Sequence, residues 1–205
     1  MPQTGNRDGQ LLSDKILGRY FAYLLRETRE VPGDVVECGV GHGYSLSVLA
    51  EEATMAGRNT IWGYDSFEGL PKLGSYDYGI RRSPRGAGDF KSTPGEAMYQ
   101  VSWRVGTLKN IKLRKSWFAD LKPDDLPYQV ALLHLDVDLY ESYKTCLNLF
   151  WGRIPSGGIV ALDEYGDIGW PGCKQAVDEF LQEHPESYRL EWYLEAQRSY
   201  LRRVS

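Results

Sequence analysis

The stretch from Asp34 to Ala56 constrains this chain more than any other. Asp34-Val35-Val36-Glu37-Cys38 reads as a short buried strand that runs straight into Gly39, Gly41 and Gly43. Tyr44 to Ala56 follows at helical spacing, with Leu46, Leu49 and Ala53 on one inner face. A strand that ends in close-set glycines before a helix aims backbone N–H groups at a ligand held by the positive end of the helix dipole. Thr60 to Asp65 reads as the next strand. Two strands joined through a helix make a parallel pair with a right-handed crossover, the unit of a doubly wound α/β sheet.

The remaining elements extend that unit. Leu11 to Glu30 carries apolar residues at helical spacing (Leu12, Ile16, Leu17, Tyr20, Leu24) and stops before Pro32-Gly33, while residues 1–10 read as a loose polar arm. Thr93 to Arg104 reads as a helix capped by Ser92 or Thr93, Tyr140 to Trp151 as another, and Lys174 to Glu183 as the last. Ile111 to Lys115, Val130 to Leu135 and Gly158 to Leu162 read as strands, the second of them almost wholly apolar as a central strand should be. Tyr188 to Tyr193 and Ser199 to Arg203 alternate and finish the chain as two short strands. Residues 66–92 have many glycines, little periodicity and three arginines (Arg81, Arg82, Arg85), which predicts a lid or binding loop. The whole chain, 1–205, is expected to form one domain.

Composition narrows the class of partner. With 42% hydrophobic and 25% charged residues the 205-residue chain can bury a sizeable core. A net charge of −4 with both signs interspersed argues against an extended nucleic-acid surface. No apolar run is long enough to span a bilayer, so no membrane partner is expected. Cys38, Cys146 and Cys173 are too scattered for a disulfide framework or a zinc site, and read as reduced thiols of a cytoplasmic protein.

The glycine spacing is Gly-x-Gly-x-Gly, whereas dinucleotide enzymes use Gly-x-Gly-x-x-Gly. Glu37, inside the end of the first strand, suits a cationic ligand amine better than a pyrophosphate. Asp65 closes the second strand where an acid can accept both hydroxyls of an adenosine ribose, and Ser66 and Phe67 are placed to flank the adenine. These features favour S-adenosylmethionine over NAD. A NAD-dependent oxidoreductase on the same fold and a non-catalytic S-adenosylmethionine-binding module are the alternatives.

Two further strands end in acids, at Asp136-Val137-Asp138 and at Asp163-Glu164. In an open α/β sheet the carboxyl ends of the strands form the ligand crevice, so these four acids should converge beside the cofactor. A single such acid would read as a helix cap. Four together repel one another unless a cation lies among them or some are protonated. Oxygen donors without a Cys or His cluster point to Mg²⁺ or Ca²⁺, and a site open to substrate favours Mg²⁺. Asp136 and Asp138 would share a face if the strand stayed extended, whereas Asp163 and Glu164 can reach one ion only if theirs has turned. His134 reads as a hydrogen-bonded core residue, and His42 as better placed for substrate.

Three segments resemble the macrocin O-methyltransferase family. They are Asp65-Ser66-Phe67-Glu68-Gly69-Leu70-Pro71, the run from Leu133 to Ser142, and the run from Gly157 to Gly166, and Gly172 to Phe180 continues the likeness. The resemblance implies a Rossmann-like class I methyltransferase: a mostly parallel seven-stranded sheet with helices on both faces and a C-terminal antiparallel strand. It implies O-methylation of a hydroxyl on a sugar or glycoside, using S-adenosylmethionine and Mg²⁺, and it allows a homodimer. Carried over by residue, Asp136, Asp163 and Glu164 fall on the metal ligands and Asp138 on the general base. Glu37, Gly39, Gly41, Gly43, Asp65, Ser116, Trp117 and Phe118 fall on the cofactor pocket, and Ser45, Ser66, Phe67 and Asp136 are expected to join them there. The chain departs from the family in Glu164, where a second Asp is usual, and in being short at its N-terminus, where relatives carry substrate-covering and dimer-forming segments.

Overall fold

The computed structural model describes residues 7–78 and 86–205. The loop arginines Arg81, Arg82 and Arg85 lie outside the described residues, and so does the lid role expected of them. Strands β1 (Asp34–Cys38), β2 (Ile61–Asp65), β3 (Ile111–Lys115), β4 (Val130–Leu135), β5 (Ile159–Leu162), β6 (Tyr188–Tyr193) and β7 (Arg198–Arg203) form one sheet in the order β3-β2-β1-β4-β5-β7-β6. β1 pairs in parallel with β2 and β4, β2 with β3, and β4 with β5; β7 alone inserts antiparallel, between β5 and β6. The order reverses at β1, so the crevice opens between the carboxyl ends of β1 and β4.

The helices are α1 (Arg7–Glu27), α2 (Tyr44–Met55), α3 (Pro94–Val105), α4 (Tyr140–Phe150) and α5 (Pro171–Glu183). α1, α2 and α3 cover one face of the sheet, over a core that includes Tyr20, Leu46, Val35 and Leu132; α4 and α5 cover the other, over Val36, Leu133, Tyr143 and Phe180. Successive residues of β1 and β4 alternate between the two cores, as period-two side chains must. Among the described residues no helix is long and apolar enough to cross a membrane. All three cysteines are buried and free.

Two helix starts differ from expectation. α1 begins at Arg7, inside the stretch read as a loose arm, and ends at Glu27, three residues before the expected stop. Apolar periodicity reports only the turns that touch the core, and it misses a polar first turn. α5 begins at Pro171, because proline is preorganised for the first helical position and gives up no needed N–H there.

The 66–92 segment is pinned on its described side. Leu70 donates its N–H to Asp89 O at 2.8 Å and accepts from Gly88 N at 2.9 Å. Asp77, 3% exposed, accepts from Gly74 N at 2.7 Å and from Tyr140 N, the first N–H of α4, at 2.8 Å. Gly172 makes room for this bond, since a Cβ there would overlap Asp77 Oδ1 and stand 2.9 Å from Tyr140 N. The loop acid thus caps the helix that follows Asp138. Asp77→Ala leaves that N–H buried and unmatched, and should cost about 2 kcal/mol, a fall in Tm of roughly 4–8 °C by calorimetry. An unchanged Tm would show that water replaces the cap.

Candidate active site

The crevice between β1 and β4 holds a cavity of about 300 Å³. Its floor is the glycine turn. Gly39, with φ +89°, lies so close to the neighbouring strand that a Cβ would overlap the carbonyl oxygen of Asp136 and stand 2.6 Å from its carbon. Glycine is therefore required at this position to let β1 and β4 end side by side. The pairing runs on past the strands: Asp136 N donates to Cys38 O and Asp163 N to Leu135 O, both at 3.0 Å. Those two bonds bring the ends of β4 and β5 side by side; Asp136 lines the cavity, and Asp163 and Glu164 do not.

Gly39, Gly41, Ser45, Asp65 and Ser66 line the cavity on the glycine-turn side. Ser116, Trp117 and Phe118 line it from the segment after β3, and Asp136 and Asp138 from the end of β4. The carboxylate of Asp65 is held rigidly: Gly41 N donates to Oδ2 at 2.8 Å and Phe67 N to Oδ1 at 2.6 Å. Each oxygen keeps a second lone pair, so the acid is fixed in place and can still accept from a diol. His42 also lines the cavity, together with Tyr44, Leu70, Phe90 and Ser142, which sequence reasoning passed over for the site.

Three expected cofactor residues stand behind the wall. Glu37 is fully buried and does not line the cavity; its Oε1 lies 2.9 Å from Nδ1 of His134, its register partner on β4. A strand side chain one residue from the end must share the face of Val35, which here is the core under α1. The expected contact of Glu37 with a ligand amine is therefore replaced by an internal pair with His134, itself fully buried as expected of a core histidine. Phe67, 1% exposed, turns its ring into the same core and serves the site through its N–H. Gly43 is the N-cap of α2, closely packed on Ala97 of α3.

Asp136 and Asp138 do face the same cavity, though not because the strand stays extended. β4 ends at Leu135, and Asp138 takes a left-handed backbone with φ +59° before α4 begins. Asp163 and Glu164 likewise follow the end of β5, so adjacent residues can turn to one side. One carboxylate oxygen from each of Asp136, Asp163 and Glu164 lies within 4.8 Å of the others. Burial, and then the charge of Asp163, push both Asp136 and Glu164 up from the usual carboxylate range. Burial also raises Asp163, but His134 beside it and the charge of Arg198 outweigh it and hold this acid low. Burial alone would lower His134, yet the neighbouring carboxylates of Asp163 and Glu37 win and lift it to about 9. Acids this close repel one another, which a carboxylate-ligated cation would relieve, and oxygen-only donors are the set that Mg²⁺ prefers.

Two contacts of this cluster escape the sequence. Arg198 of β7 forms an ion pair with Asp163, and the hydroxyl of Tyr143 of α4 lies between the carboxyl group of Glu164 and, at 2.9 Å, Leu135 O. No local pattern marks either residue. The antiparallel register, with Ser199 opposite Leu162, brings Arg198 beside Asp163 only when β7 inserts next to β5.

The family described as Macrocin-O-methyltransferase (TylF) matches residues 24–193. A rhamnosyl-tetracenomycin-C 4′-O-methyltransferase of Streptomyces olivaceus is 32% identical over 157 residues, 73% of this chain and 58% of that protein. The demethyldecarbamoylnovobiocin O-methyltransferase of Streptomyces niveus is 32% identical, with 73% of this chain and 58% of that protein covered. The chain thus spans less than two thirds of the length of these relatives. Among solved structures, the O-methyltransferase NovP matches with a TM-score of 0.75 at 25% identity, covering 94% of this chain and 80% of that one. The calicheamicin methyltransferase CalS11 matches with a TM-score of 0.72 at 25% identity, over 90% and 77% of the two chains.

Proposed function

This chain belongs to the macrocin O-methyltransferase family, and on that premise we propose that it moves the methyl group of S-adenosylmethionine to a hydroxyl of a sugar or other polyol on a small molecule. The observation that carries the reading is one cavity holding both Asp65, clamped by Gly41 N and Phe67 N, and the acids Asp136 and Asp138. Asp65 accepts the ribose hydroxyls, and Trp117 and Phe118 bound the adenine. S-adenosylmethionine supplies a methyl already activated by its sulfonium. The protein's task is therefore to position the acceptor oxygen and remove its proton.

Asp138 is the base in this reading, because it lines the cavity beside Asp136 and follows the last strand residue by only three positions. Asp136, Asp163 and Glu164 would hold Mg²⁺, which supplies Lewis-acid activation of a hydroxyl that is otherwise a poor nucleophile at neutral pH. Glu164 reaches the cluster despite its extra methylene, since Tyr143 holds its carboxylate in place. The acceptor is drawn as a sugar because the relative from Streptomyces olivaceus carries a rhamnosyl substrate in its name. Buried free thiols suit a reducing, cytoplasmic setting.

Ligand-dependent melting tests the cofactor. S-adenosylhomocysteine at a hundred times its Kd should stabilise the protein by about 2.7 kcal/mol, roughly 5–10 °C in Tm, with no shift from NAD. A shift with NAD and none with S-adenosylhomocysteine would overturn the assignment.

A further inference from the structure

We propose that Arg198 is a positioning residue of the carboxylate cluster, clamping Asp163 so that this acid already faces Asp136 and Glu164 before a cation arrives. The proposal rests on the metal reading above and concerns only what this chain's own side chains do.

Asp163 is the first residue past β5; its backbone N–H still reaches Leu135 O, and what the strand leaves open is the rotamer of its side chain. Arg198 sets that rotamer from the neighbouring strand. Its Nη1 pairs with Asp163 Oδ1 and also donates to the backbone carbonyl of Asp163 at 3.0 Å. A second group converges on the same oxygen: His134 Nε2, fully buried and without a hydrogen-bond partner of its own, stands 3.6 Å from Oδ1. The imidazole cannot swing away, because Glu37 holds its other nitrogen at 2.9 Å. Asp163 would have to leave both neighbours to rotate. With Oδ1 occupied in this way, Oδ2 is the oxygen left to meet an ion.

Arg198 has an opposing effect as well, because a guanidinium next to the site repels an incoming divalent ion. Two features decide between these effects. The charge of Arg198 is already matched by Asp163 itself, so its net field at the cluster is small. Around the locus the described residues also place four carboxyl groups from the ends of β4 and β5 (Asp136, Asp138, Asp163 and Glu164), so oxygen donors outnumber the one guanidinium. Preorganisation of the ligand is therefore the larger effect. Both contacts come from Nη1, and a lysine ammonium ends one atom short of that position, so it cannot hold the carboxylate and the carbonyl in the same way.

The test is titration calorimetry of Mg²⁺ into the full chain as wild type, Arg198→Lys and Arg198→Gln, with Tm measured for each. Removing a partner that orients a metal ligand typically costs about 10–100-fold in affinity, and that loss is expected for both variants. At saturating Mg²⁺ most of the kcat should return, since the acids themselves are intact. Arg198→Lys keeps the charge and is the milder change, so it remains informative if Arg198→Gln does not fold. Wild-type affinity in Arg198→Lys, or tighter binding in Arg198→Gln, would overturn the clamp and leave Arg198 as a charge neutraliser. A fall in Tm with Mg²⁺ affinity unmoved would overturn it in favour of a structural role. If the wild type itself bound no Mg²⁺, the metal reading would fall and the clamp with it, which the first titration alone distinguishes.

Discussion

Asp138→Asn is expected to lower kcat by about 10²–10⁴-fold, the usual worth of a positioned general base, without weakening S-adenosylhomocysteine binding. The substitution separates chemistry from folding unusually well. Asp138 occupies a left-handed backbone conformation at φ +59°, one of the few that asparagine shares with aspartate at little cost. The variant should therefore keep its fold and Tm while losing the group that takes the acceptor proton. Chelation with EDTA probes the other half of the site and should reduce turnover in the wild type, restored by Mg²⁺. Full activity in Asp138→Asn and in EDTA together would refute the combination of metal and base, leaving positioning as the whole of catalysis.

Gly39→Ala should be the most destabilising single methyl group that can be added to this chain at the site. Its Cβ would overlap the carbonyl oxygen of Asp136, come within 2.6 Å of the carbonyl carbon and 3.3 Å of Val137 Cγ1, and sit on a backbone with φ +89°. The left-handed strain costs about 1–2 kcal/mol, and forcing β1 from β4 about 1–3 more. For a chain of this size the sum, about 2–5 kcal/mol, lowers Tm by roughly 4–20 °C. The stabilising shift from S-adenosylhomocysteine should vanish too, because Asp136 and the glycine turn are displaced together. Gly57→Ala is the control: it has φ +75° but open space around it, so only the backbone strain remains. Equal melting temperatures for the two variants would show that β4 yields to the methyl group, and that the close approach is not what demands glycine at Gly39.

Much of the architecture is legible from local pattern. All seven strands begin and end within a residue of where apolar periodicity and turn residues put them, with β1, β3, β4 and β6 matching throughout. Strand ends are local events, and acids at the ends of β2, β4 and β5 are conspicuous against their apolar interiors, which is why Asp65, Asp136 and Asp163 can be picked out by eye. Glu37 is not legible in the same way. It stands one residue before the end of β1, and that residue of phase turns it into the core under α1, where it meets His134 and stays out of the cavity lining. Phe67 follows Asp65 in sequence and still buries its ring on the far side of the turn.

The amino-acid sequence by itself determined the doubly wound order of elements, the glycine turn and the set of acids available at the sheet's carboxyl edge. Those properties follow from propensity and period, which act within a dozen residues. The tertiary structure decided which acids face the cavity and who holds them there. Asp77 reaches the first N–H of α4, and His134 and Arg198 close on one oxygen of Asp163 from two different strands. Contacts of that kind depend on the register between strands and on the path of a long loop. A one-residue change in register would leave every local pattern intact and move each of these partners to the opposite face of the sheet.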